Sequence, residues 1–168
     1  QEGAQFEKPV ELDLVQYMQR KTNDYRMLSA EKKITITFYA NVNKYVTLIQ
    51  PTLLNQIIQN LVQNAIKFTP VDASISIRLE KIDNYAQITV CDDGVGIDEK
   101  IDLFAPFKRV GNKSGAGLGL FLAKSASDAL GASISLANRE NTQGCLATLK
   151  LLNNQALQNE EKPTSISK

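Results

Sequence analysis

The sequence predicts an α+β fold, a two-layer α/β sandwich with helices on one face of a mixed, mostly antiparallel sheet. Three observations predict it. Residues 12–28, 51–68 and 118–130 carry apolar side chains at helical period. Shorter segments alternate apolar and polar residues and are rich in β-branched side chains, as strands are. The strands follow one another in pairs instead of alternating singly with helices, which excludes a doubly wound βαβ arrangement.

Each element has a local justification. Residues 1–9 are a polar lead-in. In the first helix, over 12–28, Leu12, Val15, Met18, Thr22 and Tyr25 share one side. ITITFYA, residues 34–40, alternates as a strand, and 46–49 is a second, short one. Pro51 suits the first turn of a helix, and Pro70 stops that helix near Phe68. Residues 74–82 and 86–91 flank Asp83-Asn84 and read as a hairpin. A short helix is expected over 99–103. The helix over 118–130 stops at Gly131. Residues 132–137 and 145–152 form a last strand pair, and 153–168 reads as a polar tail or linker. The chain divides into lead-in (1–9), one domain (10–152) and tail.

The 168 residues suffice for one domain with a single core. A net charge of +1 gives no global field toward nucleic acid or an acidic membrane, so no nucleic-acid partner is expected. Cys91 and Cys145 lie far apart without CxxC spacing, which points to a reducing, intracellular setting and no cysteine metal site. No apolar run reaches the ~20 residues of a membrane span, and no signal peptide is evident. The start at Gln1 reads as that of a fragment. The chain has no histidine, which excludes histidine-based triads, most zinc sites and a phosphohistidine on this chain.

Four features bear on chemistry. The helix over 51–68 buries Leu54, Ile57, Ile58, Leu61 and Ala65, and its other face carries Gln56, Asn60, Gln63, Asn64 and Lys67. Asn inside a helix costs roughly 0.5 kcal/mol against Ala, so Asn60 and Asn64 in register with Lys67 indicate a cost tolerated for a purpose. Amide oxygens bind hard cations, and an ammonium meets a phosphate. DDGVG, from Asp92 to Gly96, leaves a strand; an Asp there can accept from an exocyclic amine, and the glycines let backbone approach a ligand. GAGLGL, from Gly115 to Leu120, opens a helix and offers N–H groups to a phosphate. It lacks the preceding strand of a dinucleotide fingerprint and the GK[ST] of a P-loop. FAPF, from Phe104, precedes Lys108, Arg109 and Lys113, cations within reach of phosphates. Taken singly, each also reads as something plainer: a surface helix, an Asp-Gly turn, a flexible connector, a loop pinned by aromatics. Their order and close spacing suit a nucleotide.

In that order the motifs resemble those of the catalytic ATP-binding domain of bacterial sensor histidine kinases, within the GHKL superfamily of the Bergerat fold. QIIQNLVQNAIKFTP is similar to the N box, DDGVGI to the first G box, FAPF to the F box and GAGLGL to the second G box. The resemblance covers about residues 6–152. It implies Mg²⁺ on Asn64, with Asn60 and Lys67 facing the phosphates as the catalytic pair. It places Phe68 against adenine, Asp92 as acceptor of the adenine amine, and Gly94 and Gly96 around that pocket. Gly115, Gly117, Leu118 and Gly119 surround the phosphates, and 108–116, with Lys108 and Arg109, is a short nucleotide lid.

The superfamily's ATPases carry a Glu four residues before the metal-binding Asn, as base for water. Here that position is Asn60, which disfavours autonomous hydrolysis. The resemblance implies transfer of the γ-phosphate of Mg·ATP to a histidine on a separate dimerisation domain, in two-component signalling. A degenerate nucleotide-binding module and a GHKL ATPase are the alternatives. Implied partners are the dimerisation domain and, through the parent protein, a response regulator. The fragment is expected to be monomeric and cytoplasmic, its parent a homodimer with or without a membrane anchor. Gln50, Leu53, Cys145 and Ala147 depart from the family pattern, at positions expected to lie off the nucleotide residues; Gly144 keeps it.

Overall fold

The computed structural model describes residues 7–106 and 118–152. Strand β1 (Val10–Asp13) leads directly into helix α1 (Leu14–Leu28), and a 3₁₀ turn (Ala30–Lys32) follows. Then come β2 (Thr35–Ala40), β3 (Val46–Ile49), α2 (Pro51–Phe68), β4 (Ser74–Ile82), β5 (Tyr85–Asp92), α3 (Gly119–Leu130), β6 (Ser133–Asn138) and β7 (Cys145–Leu152). Five strands form one sheet in the order β2-β4-β5-β7-β6. Only β2 and β4 are parallel in it; the β4–β5, β5–β7 and β6–β7 pairs are antiparallel. β1 and β3 form a separate antiparallel pair.

Register puts most of the apolar residues of the five-stranded sheet on one face. Ile77 pairs with Val90, and Val90 with Ala147; Leu79 pairs with Ile88, and Ile88 with Leu149. All of these are buried. The helices cover that face, and Leu54, Ile57, Ile58 and Val62 of α2 are sealed completely in the core. The opposite face stays polar, with Arg78 stacked on the half-exposed ring of Tyr39.

Two expectations are corrected. Leu12 belongs to β1, opposite Thr47, and not to the first helix. The break falls at Asp13, whose Oδ1 accepts from the N–H of Val15 at 3.1 Å and from that of Tyr45 at 3.1 Å. An Asp at that position is a favoured N-cap, so it starts the helix and ties it to β3 in one contact. The helix expected over 99–103 is replaced by two Asp-headed turns. Asp98 Oδ1 accepts from Lys100 N, and Asp102 Oδ1 from Phe104 N, both at 3.0 Å. Such side-chain bonds compete with the helical ladder and win in a short segment.

Both ends of α2 are capped from outside it. Gln50 makes no side-chain cap. The carboxylate of Glu7 accepts instead from Thr52 N and Thr52 Oγ1, each at 2.8 Å, placing negative charge at the positive end of the helix. At the other end Lys32 Nζ donates to Ile66 O at 2.7 Å, meeting a carbonyl that has no partner in the helix. α3 ends in Gly131 with φ +68°, and the bonds Gly131 N to Asp128 O and Ala132 N to Ser127 O form a Schellman motif.

Candidate functional site

The polar face of α2 meets the start of α3. Asn60 Nδ2 donates to Gln56 O at 2.7 Å, which leaves Oδ1 as the free end of the amide. That oxygen points at Gly119: a Cβ built there would lie 3.0 Å from it. Gly119 therefore lets the first turn of α3 close on α2. No side chain among the described residues caps α3 at Leu118, so its first N–H groups and its positive dipole end face the same space. Asn64 is half-buried one turn along, and its amide takes no hydrogen bond among the described residues. Lys67 follows, half-buried, with Nζ 5.6 Å from the centre of the Phe68 ring.

β5 delivers Asp92 to the other end of this space. Asp92 is 6% exposed. Its Oδ1 accepts from Gly94 N at 2.8 Å and from Cys145 N at 3.2 Å. Those two bonds orient the carboxylate, and no donor among the described residues reaches Oδ2. Burial raises the Asp92 carboxyl above the ordinary carboxylate range. The Gly94 and Cys145 N–H groups pull it back, Asp93 pushes it further up, and Arg139 lowers it. Gly94 packs against the end of α2, where a Cβ would come within 2.7 Å of Phe68 O and 2.9 Å of Asp92 Oδ1.

The structure thus gathers Asn60, Asn64, Lys67, Phe68, Asp92, Gly94, Leu118 and Gly119 around the exposed face of α2. Gly96 has φ +84°, and a Cβ there would strike Asn138 Oδ1 at 2.6 Å, so the position needs glycine. Lys108, Arg109, Gly115 and Gly117 lie outside the described residues. So do Phe107 and Lys113; Phe104 packs on the core.

One sequence expectation fails here. Cys145 was expected to lie off the nucleotide residues, yet its N–H is one of the two bonds that orient Asp92. Any residue except proline at that position donates the same N–H, so the side-chain type there says little about the contact. Apolar surroundings push the Cys145 thiol up to about 12.

Of the turn after β6, the sequence singled out only Gly144, and not Asn138 or Arg139. Asn138 Oδ1 accepts from Ile97 N at 2.7 Å, its Nδ2 donates to Ile97 O at 2.9 Å, and its N–H donates to Glu99 Oε1 at 2.8 Å. Arg139 pairs with Asp93 and donates to Asp92 O at 3.2 Å. Gly144 has φ +130°, and a Cβ there would collide with the Asp92 carbonyl oxygen. The doubled Asp is also resolved: Asp93 takes Arg139 and Ser74 N, whereas Asp92 keeps an oxygen free.

Residues 49–155 match the family described as histidine kinase-, DNA gyrase B-, and HSP90-like ATPase, and the chain belongs to that family. Within it, the chain is a catalytic ATP-binding domain of the sensor histidine kinase kind. The sensor protein kinase PilS of Pseudomonas aeruginosa is 30% identical over 146 residues, covering 82% of this chain and 27% of that protein. The sensor protein CiaH of Streptococcus pneumoniae is 31% identical over 124 residues, covering 70% of this chain and 28% of that protein. The chain therefore spans less than a third of these relatives. Among solved structures, the catalytic domain of histidine kinase ThkA superposes with a TM-score of 0.79 at 23% identity, covering 87% of this chain and 96% of that one. Full-length ShkA in complex with AMPPNP gives 0.78 at 24% identity, covering 89% and 32%. These likenesses show the fold.

Proposed function

We propose that this chain binds Mg·ATP and donates the γ-phosphate to a histidine on a separate dimerisation domain of the parent protein. The residues present fit the group. Mg²⁺ keeps most of its shell as water and phosphate oxygen and takes few protein ligands, so the uncommitted amide of Asn64 is a suitable donor. When bound, the ion would neutralise charge on the phosphate oxygens. Asn60 Oδ1, Lys67 and the open first turn of α3 supply polar and cationic groups beside it. Asp92 Oδ2, on a largely buried residue and without a donor among the described residues, fits the amine of adenine, with the ring of Phe68 nearby. Phosphoryl transfer needs positioning and charge neutralisation more than covalent help, which is what this set of residues supplies.

The observation that carries the reading is Asn60. Its Nδ2 is held by Gln56 O, and an amide oxygen faces α3 where a water-activating base would have to stand. An amide cannot accept a proton usefully near neutrality. The site therefore retains ATP until a nucleophile arrives from elsewhere. The chain carries no histidine, so the acceptor is on another segment.

ThkA has been solved with the response regulator TrrA, and by analogy the phosphohistidine formed here would serve a response regulator. The parent is then a homodimer through its dimerisation domain. No helix among the described residues is long and apolar enough to cross a membrane, and the use of ATP and a response regulator places the domain in the cytoplasm.

The test is Asn64→Ala. Titrated with a fluorescent ATP analogue, this variant is expected to lose about tenfold in Mg²⁺-dependent affinity while its unfolding midpoint stays put. Unchanged metal dependence sinks the assignment. Label from γ-labelled ATP should appear on an added dimerisation domain, and steady phosphate release from the chain alone would favour an ATPase instead.

A further inference from the structure

Asp92 can read adenine only if its carboxylate is aimed, and the aim depends on backbone that the sheet holds from one side alone, where Asp92 pairs with Ile75 of β4. The β5–β7 ladder ends with Cys91 opposite Leu146. The Asp92 carbonyl lies beyond that last pair, and Arg139 Nη1 meets it at 3.2 Å. The same guanidinium pairs with Asp93, whose other oxygen accepts from Ser74 N at 3.2 Å at the start of β4. Arg139 is itself anchored, since its N–H donates to Gly144 O at 3.0 Å across the β6–β7 turn. Its stem lies over Gly144, where a Cβ would come within 2.8 Å of Arg139 Cδ. One side chain therefore ties the strand end that carries Asp92 to the turn whose other arm, at Cys145, donates to the Asp92 carboxylate. It also balances the charge of Asp93, next to Asp92 in sequence.

We propose that Arg139 is a positioning residue for purine-base selection, holding the Asp92 main chain and neutralising Asp93 so that Asp92 presents its free oxygen to an exocyclic amine. The proposal rests on the adenine role given above to Asp92. Among the described residues Arg139 bonds only to Asp92, Asp93 and Gly144 and to none that faces the phosphates, so its effect belongs to the base and not to the triphosphate.

The experiment measures ATP and GTP binding by calorimetry in excess Mg²⁺, and tripolyphosphate by competition against a fluorescent ATP analogue. In Arg139→Ala, ATP affinity is expected to fall about tenfold, the size associated with losing hydrogen bonds to a charged group, with GTP and tripolyphosphate unchanged. Arg139→Lys keeps the charge beside Asp93 and should recover most of the loss. Arg139→Met keeps the stem over Gly144 and stands in if the Ala variant does not fold, with the same expectation. An equal loss for ATP and tripolyphosphate, no loss at all, or a Lys variant no better than Ala overturns the proposal. Asp92→Asn is run beside them. If it leaves the ATP-to-GTP ratio unchanged, the adenine reading itself falls; if it collapses the ratio and Arg139→Ala does not, only the positioning role falls.

Discussion

Asp92 is a carboxylate held where water hardly reaches, and its two oxygens have different fates: one fixed by Gly94 and Cys145, the other kept free. Burial raises its pKa above the ordinary 3.8. Between 3.8 and the raised value the folded chain binds more protons than the unfolded chain, so this residue's contribution to stability is present in acid and lost as pH rises through the raised value. Native protein should accordingly gain stability on Asp92→Asn as pH is lowered through that window. Urea unfolding of both at a series of pH values checks this, because the remaining groups cancel in the difference. A difference independent of pH counts against an ionised, desolvated Asp92. The pair Asp92-Asp93 shows how far residues alone could be read. Two adjacent carboxylates look alike in the sequence, and strand pleat sends one into the core face and the other out to Arg139 and Ser74.

At the scale of elements, α2 was legible almost to the residue. Pro51 and Pro70 bracket it, its apolar stripe gives the buried set except Val62, and its amide-rich face is chemically odd enough to notice. Its caps were not legible, because Glu7 comes from 45 residues before Thr52 and Lys32 from 34 before Ile66. Glu7→Ala should lower stability by about 1 kcal/mol, the usual size of a lost N-terminal cap, and Glu7→Gln by less, since it can still accept the hydrogen bonds. The shift in urea midpoint at constant slope measures it; a zero shift would make the contact incidental. β1 escaped notice for a different reason. Four residues carry too little periodicity, and what makes them a strand is β3, more than thirty residues on.

For the whole molecule, the site exists only where α2, the end of β5, the start of α3 and the β6–β7 turn converge. A ligand bound across that junction stabilises the folded state by mass action. At 100 times its dissociation constant, Mg·ATP should add about 2.7 kcal/mol, a rise of about 5–10 °C in Tm at this size. Differential scanning fluorimetry measures it, and chelation of the metal should remove most of the rise. A shift that survives chelation in full would argue that Asn64 holds no metal.

The sequence by itself determined the layer architecture, α2 with its Asn60, Asn64 and Lys67 face, and the Asp-Gly loop at the end of β5. These rest on periodicity, proline and glycine punctuation and motif order, which are local along the chain. Only the tertiary structure decided which carboxylate oxygen stays free and that Asn60 faces Gly119. It alone revealed that Asn138, Arg139 and Gly144 brace the loop after β5 from 41 to 52 residues away. Those contacts follow from the β5–β7 and β6–β7 register, which brings distant backbone together, and no local pattern in the chain records them.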